Sequence, residues 1–294
     1  MTKKSKTILF FGTEDFSLAS LQALVEAGFL VGGVITKPDA RRGRSGKNTA
    51  PKVKTYALEQ NIPVLQPTST DELIEFIAQF VAPTGVLVSY GRIIPQRVID
   101  LFTPGIINVH PSLLPKYRGP TPIESAIING DTTTGVSIMR LSAAMDAGPV
   151  HSQTTRLLRG DETKPELYDA MAREGAAELV RVLSQIMSGE LAPTPQNDAD
   201  AVYCQLLSKN DTLVQPADFT APELERRIRA HLGFPKTRVP FCGEERIVTK
   251  AHITTAPNET TILCKNDTLL AIDELVAPSG KTVSVEAFLR GLRA

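Results

Sequence analysis

The first half of the chain alternates short apolar runs with segments in which apolar residues recur at helical spacing. An apolar run at residues 7–11 precedes a helical pattern at 17–27, and a second run at 30–36 precedes another at 53–60. Such alternation is typical of βαβ units, in which parallel strands form a sheet that helices cover. The same alternation continues through residues 64–65 and 72–80, 86–89 and 96–101, 105–110, 122–129, and 135–141. The pattern predicts an α/β fold with a Rossmann-like, mostly parallel sheet.

A long helix and a change of composition divide the chain. Between residues 164 and 187, apolar side chains recur at helical spacing, which predicts an amphipathic helix that closes the first domain. The proline-interrupted polar stretch at 191–201 has the composition of a linker. Beyond it, apart from a helical segment at 221–231, the sequence shows short β-rich runs separated by turn residues. We therefore predict a first domain at 1–190 and a small C-terminal β domain at 202–294.

Charge and cysteine usage narrow the possible classes of protein. Thirty-two basic residues balance 32 acidic ones, so any binding of nucleic acid must come from local patches. The three cysteines have no metal-ligand spacing, and their odd number suits a reducing compartment. The N-terminal apolar run is far too short for a signal peptide, and no span approaches the ~20 apolar residues of a membrane helix. We therefore expect a cytoplasmic protein that does not bind membranes.

The most informative segment is the predicted strand at 105–110. Alternation along a strand places Asn108 and His110 on one face, at the carboxyl end, where open α/β sheets form their ligand crevice. Asp146 follows the next predicted strand, and a carboxylate in such a loop can reach the same crevice. An amide, an imidazole and a carboxylate, with no serine or cysteine among them, indicate chemistry in which the substrate supplies the nucleophile.

Each of these residues also has a purely structural interpretation. A single histidine at a strand end is commonly a structural hydrogen-bonder, an asparagine can cap a turn, and Asp-x-Gly is a common turn sequence. Metal binding is not favoured, because the chain has only four histidines and none forms a ligand pair at helical spacing. Taken one by one, the residues leave a catalytic site and a structural cluster both open.

A longer set of residues matches a known family. It comprises Asn108-Val109-His110-Pro111-Ser112-Leu113-Leu114-Pro115, Arg118-Gly119, Pro122-Ile123 and Asp146-Ala147-Gly148. This set resembles the folate-dependent formyltransferases. Near the N terminus, Phe11-Gly12-Thr13, Phe16, Thr36-x-Pro38-Asp39 and the Gly43-Arg44 loop resemble in particular the branch that formylates methionyl-initiator tRNA. With the C-terminal domain, the resemblance covers nearly the whole chain.

The resemblance implies a role for each part of the crevice. Asn108, His110 and Asp146 would be the catalytic residues as the acceptor amine attacks the formyl group of 10-formyltetrahydrofolate. Asn108 and His110 would donate hydrogen bonds to the formyl oxygen, while Asp146 would hold His110 and accept the amine proton. The folate carrier is the implied cofactor, without a metal. The residues implied to bind it are Tyr90, Gly91, Arg92, Ile93, Ile94, Ser112, Leu113, Leu114, Pro115 and Ala143.

The acceptor implied by the resemblance is charged initiator tRNA. Between residues 37 and 54, seven basic residues stand against a single acid; such a run is commonly a solvated surface, but arginine side chains also suit phosphates. In the family the corresponding loop contacts tRNA, which implies tRNA binding by Arg41, Arg42, Arg44 and Lys47. The C-terminal domain would be an OB-like barrel that helps to hold tRNA, and the protein would act as a monomer. The candidate patch on this domain is Arg226, Arg227, Arg229, Lys236 and Arg238.

Other functions stay open at this point. A glycinamide-ribonucleotide formyltransferase shares the His-Pro-Ser-Leu-Leu-Pro sequence, but it needs no C-terminal β domain and carries a glycine-rich phosphate loop after its first strand. An amino-sugar formyltransferase shares the two-domain organisation. An RNA-binding protein on an inactive formyltransferase scaffold is the alternative from a different class. A nicotinamide dehydrogenase is excluded, since no Gly-x-Gly-x-x-Gly follows the first strand.

Overall fold

The first part of the chain forms a large sheet in the computed structural model, which describes residues 7–41 and 48–293. The strands in this part are β1 (Ile8–Gly12), β2 (Val31–Ile35), β3 (Ala40–Arg41), β4 (Asn48–Thr49), β5 (Val64–Leu65), β6 (Thr84–Val88), β7 (Ile106–His110), β8 (Thr133–Arg140) and β9 (Val150–Leu157). Within the described residues the strand order is β5-β2-β1-β6-β7-β8-β9, and β3 pairs only with β4. The pairs from β5 to β7 are parallel, whereas β7 and β8 are antiparallel. The predicted mostly parallel α/β sheet is confirmed.

Helices connect most of these strands. They are α1 (Phe16–Glu26), α2 (Lys52–Glu59), α3 (Thr70–Ile77), α4 (Gln96–Ile99), α5 (Pro122–Ile128) and α6 (Lys164–Ser188). At the start of α3, Ser69 Oγ accepts a hydrogen bond of 3.1 Å from the Glu72 N–H, and the Glu72 carboxylate accepts one of 2.7 Å from the Thr68 N–H. These bonds satisfy backbone donors that a helix start leaves open. In the described chain, no helix has both the length and the apolar character needed to cross a membrane.

An apolar core lies between the sheet and its helices. Phe11 makes edge-on ring contacts with Tyr90 and Phe102, at centroid distances of 5.5 and 5.7 Å. Each fully buried side chain of this kind contributes about 1.5–3 kcal/mol relative to exposure. The core therefore fixes the strands whose carboxyl ends carry the polar residues described below. Its buried members are Leu9, Phe11, Ile35, Leu73, Ile77, Tyr90, Ile94, Val98, Ile99, Phe102 and Ile106.

The chain folds into two compact units, each built from several segments. Unit 1 contains the described residues up to Arg118, Gly135–Arg156 and Asp169–Tyr203; unit 2 contains Gly119–Thr134, Leu157–Tyr168 and the described residues from Cys204 onward. The stretch at 191–201, predicted as a linker, falls within unit 1. There Thr194 and Val150 exchange two backbone hydrogen bonds of 2.8 Å. This stretch is therefore bonded to β9 of the sheet.

Unit 2 contains an antiparallel sheet. Its C-terminal elements are α7 (Ala221–Ala230), β10 (Thr237–Phe241), β11 (Glu244–Thr254), β12 (Thr261–Leu263), β13 (Leu269–Val276), β14 (Thr282–Ser284) and α8 (Val285–Arg293). Strand β13 pairs with β11, β12 and β14, and β10 pairs with β11. The β-rich character predicted for the C-terminal region is confirmed in this form.

Strand β9 and helix α8 are among the elements that the sequence analysis did not predict, as are the short strands β3 and β4. Strand β9 was not predicted, because its polar residues, such as His151 and Gln153, leave it without an apolar face. Helix α8 was also missed, since the region was expected to hold only β-rich runs. Its buried residues Val285, Phe288 and Leu289 have the i, i+3, i+4 spacing of a helix and join the core of unit 2. The signal for α8 was thus present in the sequence, next to a strand.

His231, which follows α7, makes the stability of unit 2 depend on pH. Its side chain is fully buried, with Nδ1 3.2 Å from Thr237 Oγ1. Burial, reinforced by the nearby Arg227 charge, lowers the pKa of the imidazole from 6.5 to about 4. Between these values the unfolded chain binds a proton that the folded chain does not, so stability is lost as the pH falls.

We expect the free energy of unfolding to decrease as the pH is lowered from 6.5 towards 4. The loss attributable to His231 reaches up to about 3 kcal/mol at the acidic end. His231→Gln removes the titrating group and should flatten this part of the curve. Urea unfolding of both proteins across the range measures the difference. Curves that stay parallel would show that another group causes the pH dependence.

Candidate active site

Strand β7 presents two polar side chains at its carboxyl end. It lies between β6 and β8, with Leu87 opposite Asn108 and Ser137 opposite His110. Because they are two positions apart on a strand, Asn108 and His110 share one face of the sheet. They are only 6% and 5% exposed. The structure therefore places both predicted residues together, largely shielded from water.

The ring of His110 is oriented by a backbone carbonyl. Its Nε2 lies 2.9 Å from the carbonyl oxygen of Tyr117, and because a carbonyl can only accept, Nε2 must carry a proton. The other ring nitrogen, Nδ1, faces Asp146, with 3.7 Å between Nδ1 and Oδ2. This separation is longer than a hydrogen bond, as is common in catalytic sites before a ligand binds. His110 can therefore gain or lose a proton only at Nδ1 while the bond to Tyr117 persists.

Asp146 lies in the loop between β8 and β9, with a left-handed backbone φ of +49°. Gly148 allows this loop to lie close to the end of β8, since a Cβ at this position would come within 1.9 Å of the Arg140 carbonyl oxygen. Gln196 Nε2 donates to the carbonyl oxygens of Asp146 and Gly148, each at 2.7 Å. The loop is therefore held in one conformation, with the carboxylate close to His110.

The side-chain amide of Asn108 has no hydrogen-bond partner among the residues that the structure describes. Its Nδ2 can therefore donate a hydrogen bond to a ligand oxygen. In the part of the chain described, no group of three or more His, Cys, Asp or Glu side chains could hold a metal.

Four of the predicted folate-binding residues line a cleft of about 200 Å³ in unit 1, namely Tyr90, Arg92, Ile93 and Ile94. Tyr90 is 2% exposed, and burial raises the pKa of its phenol. Arg92 donates a hydrogen bond of 2.8 Å to the carbonyl of Pro67 on the opposite wall. Ile93 is 88% exposed, whereas Ile94 belongs to the apolar core. Of the two isoleucines, Ile93 therefore offers free apolar surface. Gly91 has a φ of +70°, and Lys37 lies over it.

The predicted folate-binding residues after β7 form hydrogen bonds with their own loop and with strand β8. The Ser112 hydroxyl donates to a loop carbonyl at 2.6 Å, and the Leu114 N–H donates to a serine hydroxyl of β8 at 3.0 Å. Leu114 and Pro115 line a second pocket of about 310 Å³. Six of the ten predicted folate-binding residues thus line one of these two pockets of unit 1. The other four, Gly91, Ser112, Leu113 and Ala143, line neither of them.

Most of the predicted tRNA-binding residues, Arg42, Arg44 and Lys47, lie outside the described residues, as does the side chain of Arg41 at the end of β3. The described residues that flank this basic segment are bonded to one another. Lys54 Nζ lies 2.9 Å from the Asp39 carboxylate, and this contact lowers the pKa of Asp39.

The basic patch predicted on the C-terminal domain is largely used in packing. In unit 2, Arg226 donates to a backbone carbonyl at 3.0 Å and Arg229 to a carboxylate at 2.6 Å. Arg227 lies over an aromatic ring, 4.6 Å from its centre. Each of these three half-buried arginines thus has a partner within unit 2, and their contact with tRNA stays a prediction. The other two residues of the predicted patch, Lys236 and Arg238, line an open groove of about 810 Å³ in unit 2 together with Lys209 and one acid, Glu245.

Gln196 is a contributor to the site that the sequence did not reveal. It belongs to the stretch interpreted as a linker, and it contacts a loop 50 residues away in the chain. Arg118, part of the family resemblance but without an assigned role, is 1% exposed and donates to Gln196 Oε1 at 3.0 Å. A buried arginine requires such partners. No local pattern indicates which distant residues supply them.

The chain is similar to known proteins over most of its length. A family model described as formyl transferase matches residues 6–183. A methionyl-tRNA formyltransferase of Myxococcus xanthus is 37% identical over 97% of this chain and 94% of its own length. A methionyl-tRNA formyltransferase of Neisseria meningitidis is 36% identical over 97% of this chain and 96% of its own length.

Solved structures show the same fold. The N-formyltransferase of Helicobacter canadensis, in complex with folinic acid and dTDP-3-aminofucose, superposes with a TM-score of 0.69 at 18% identity, over 91% of this chain and 98% of that one. At this identity the similarity establishes the fold alone. The family model covers more than half of the chain, and the relatives match nearly all of it. The chain therefore belongs to the formyl transferase family and, within it, to the methionyl-tRNA formyltransferases.

Proposed function

We propose that the chain transfers the formyl group of 10-formyltetrahydrofolate to the α-amine of methionyl-initiator tRNA, for translation initiation. Relatives similar over nearly their full length are named for this substrate. One observation carries the proposal: Asn108, His110 and Asp146 lie close together at the carboxyl end of β7 in a chain of this family. Since charged tRNA is a cytoplasmic molecule, we propose that the protein acts in the cytoplasm. We also propose that it acts as a monomer.

The reaction exchanges one bond to the formyl carbon for another. The α-amine of the acceptor attacks this carbon, a carbon–nitrogen bond forms, and the bond from the carbon to N10 of the folate breaks. The amine loses a proton and N10 gains one, so atoms and charge balance. During the transfer, negative charge develops on the formyl oxygen, where hydrogen-bond donors lower the barrier most effectively.

We assign the donors from the site geometry. Asn108 Nδ2 donates to the formyl oxygen, because this amide has no partner among the described residues. Protonated His110 donates from Nδ1, since its Nε2 is bonded to Tyr117. Asp146, 3.7 Å from Nδ1, balances the imidazolium charge and accepts the amine proton, directly or through water. The orientation of the ring supports Nδ1 as the donating nitrogen, a detail that the sequence-based hypothesis did not specify.

The folate carrier is proposed to bind along the cleft that follows β6. The exposed Ile93 supplies apolar surface for the pterin ring, Arg92 supplies a cation near its polar edge, and the buried Tyr90 forms part of the cleft wall. The residues at 112–115 and Ala143 are assigned to the part of the carrier nearest His110. Residues 112–115 suit this role because they directly follow β7, the strand that carries the catalytic pair, and Ala143 follows the neighbouring strand β8.

The tRNA is proposed to bind through two groups of cations. Arg41, Arg42, Arg44 and Lys47 are assigned to the acceptor arm, on the basis of their density in the sequence and the family resemblance. The C-terminal sheet is assigned as an OB-like tRNA-binding domain, and its groove lined by Lys209, Lys236 and Arg238 suits phosphates.

Acceptor competition tests the proposed function. Formyl transfer from 10-formyltetrahydrofolate is measured with methionyl-initiator tRNA, glycinamide ribonucleotide and an amino-sugar nucleotide in parallel. We expect kcat/KM for the tRNA to exceed the others by at least about a hundredfold. Preference for either small acceptor would overturn the tRNA assignment. Binding of tRNA without any transfer would indicate an RNA-binding protein on an inactive scaffold.

The salt dependence of the same assay tests the assigned tRNA contacts. Each phosphate contact contributes a slope of about 0.7–0.9 in a plot of log affinity against log salt concentration. Replacing Arg41, Arg42 and Arg44 by alanine together should raise KM for tRNA and reduce the slope by about two to three units. KM for the folate should stay unchanged. Parallel salt plots for parent and variant would exclude a phosphate contact by these arginines.

A further inference from the structure

We infer that Gln196 is a positioning residue for the His110–Asp146 pair. The inference rests on the proposed function, because it concerns the pair to which we assign proton transfer. Hydrogen bonds within unit 1 connect the Asp146 loop to Gln196 and Gln196 to Arg118. The peptide group between Tyr117 and Arg118 in turn orients the ring of His110.

The first step is the contact between Gln196 and the Asp146 loop. One nitrogen, Nε2, donates to the carbonyl oxygens of Asp146 and Gly148, both at 2.7 Å. The two carbonyls lie on either side of Ala147, so the Gln196 amide connects the two ends of this short loop segment. Asp146 has a φ of +49°, and a non-glycine residue keeps such a conformation only when its surroundings hold it. Gln196 therefore helps to fix the backbone from which the carboxylate extends.

The second step is the orientation of the Gln196 amide itself. Arg118 Nε donates to Gln196 Oε1 at 3.0 Å. A guanidinium group can only donate, so the oxygen of the amide must face Arg118 and its NH2 group must face the loop carbonyls. The guanidinium is fixed in turn by Tyr203 Oη at 3.0 Å and by Asp198 Oδ1 at 2.7 Å. Arg118 thus determines which end of the amide reaches the loop.

The third step joins the same segment to His110. The peptide group between Tyr117 and Arg118 accepts from His110 Nε2 through its carbonyl, at 2.9 Å, and donates through its N–H to Val202 at 2.8 Å. The residues at 196–203 therefore hold both partners, Asp146 through Gln196 and His110 through this peptide group. With both partners held in this way, Nδ1 and Oδ2 lie 3.7 Å apart. A displacement of about 1 Å in a catalytic group can cost a hundredfold in rate.

Gln196→Glu tests this role with little change in shape. The glutamate keeps an oxygen towards Arg118 but loses both N–H donors and brings a carboxylate oxygen to the loop carbonyls. We expect kcat to fall by at least about tenfold, with KM for both substrates within about twofold of the parent. Gln196→Met, which removes the same donors without adding charge, should behave similarly. The control is Gln185→Glu on the exposed face of α6, where kcat should stay unchanged.

A double variant separates positioning from a general loss of structure. If Gln196 acts through the Asp146 carboxylate, Gln196→Glu should lower kcat no further in an Asp146→Asn background. An additional loss of the same size in that background would overturn the inference, as would parental kcat in both Gln196 variants. Parental kcat in Asp146→Asn alone would instead count against the proposed function. The two ideas can therefore fail separately.

Discussion

Replacing His110 or Asn108 by alanine is expected to lower kcat by at least about a hundredfold, since each change removes a donor assigned to the developing oxyanion. Water is a poor substitute in this site, because the two side chains are only 5% and 6% exposed. His110→Ala leaves the Tyr117 carbonyl without this buried hydrogen bond, which costs about 1–3 kcal/mol. This is less than the stability of a typical domain, about 5–15 kcal/mol, so the fold should persist. Asn108→Asp is a more specific test, because the carboxylate keeps the shape of the amide but cannot donate a hydrogen bond.

Steady-state kinetics with methionyl-initiator tRNA and thermal melting of each variant provide the measurement. KM for 10-formyltetrahydrofolate should change much less than kcat, because the assigned donors act mainly in the transition state. His252→Ala, on the exposed part of β11, is the matched control and should retain parental turnover. Near-parental kcat in an alanine variant that melts normally would remove that residue from the mechanism.

The second large effect is expected for Asp146→Asn, which should lower kcat by about a hundredfold. Asparagine preserves the size of the side chain and tolerates the left-handed backbone conformation that Asp146 adopts. Its backbone carbonyl can still accept from Gln196. The change therefore removes the negative charge and the proton-accepting oxygen while the loop is kept. Folate affinity should stay close to that of the parent.

Equilibrium binding of the folate and turnover at saturation distinguish the roles of Asp146. A collapse of folate binding with retained kcat would make Asp146 a binding residue and exclude the proton role. Asp100→Asn, at the exposed end of α4, makes the same chemical change away from the assigned catalytic residues and should alter neither quantity. Agreement of control and variant would leave the reaction without an assigned base.

The catalytic candidates could be found in the sequence because their arrangement is local. A strand has a period of two, so Asn108 and His110 had to share a face once residues 105–110 were assigned as a strand. The carboxyl end of a strand in an α/β sheet is also where ligands bind. The loop carrying Asp146 follows the neighbouring strand, and the structure places its carboxylate 3.7 Å from His110. The roles of these residues stay predictions until the variants are measured.

The folate-binding set was harder to resolve, because adjacent apolar residues are equivalent in sequence. Ile93 and Ile94 differ only in that the backbone turns one outward and the other into the core, giving exposures of 88% and 6%. The surroundings of the three arginines at 226, 227 and 229 were equally hard to predict from the sequence. Their charge indicated a tRNA-binding patch, but it could not indicate the intramolecular partner that packing within unit 2 gives each of them.

The sequence by itself determined the α/β class, the order of most strands and helices, and the identity of the three polar residues at the end of the sheet. These properties follow from periods of two and 3.6 residues, which neighbouring positions encode. Only the tertiary structure decided which nitrogen of His110 is available, because this depends on the carbonyl of Tyr117. It also decided that Gln196 holds the Asp146 loop, although the two residues lie 50 positions apart. Contacts between distant segments depend on how the elements pack, and no local period records them.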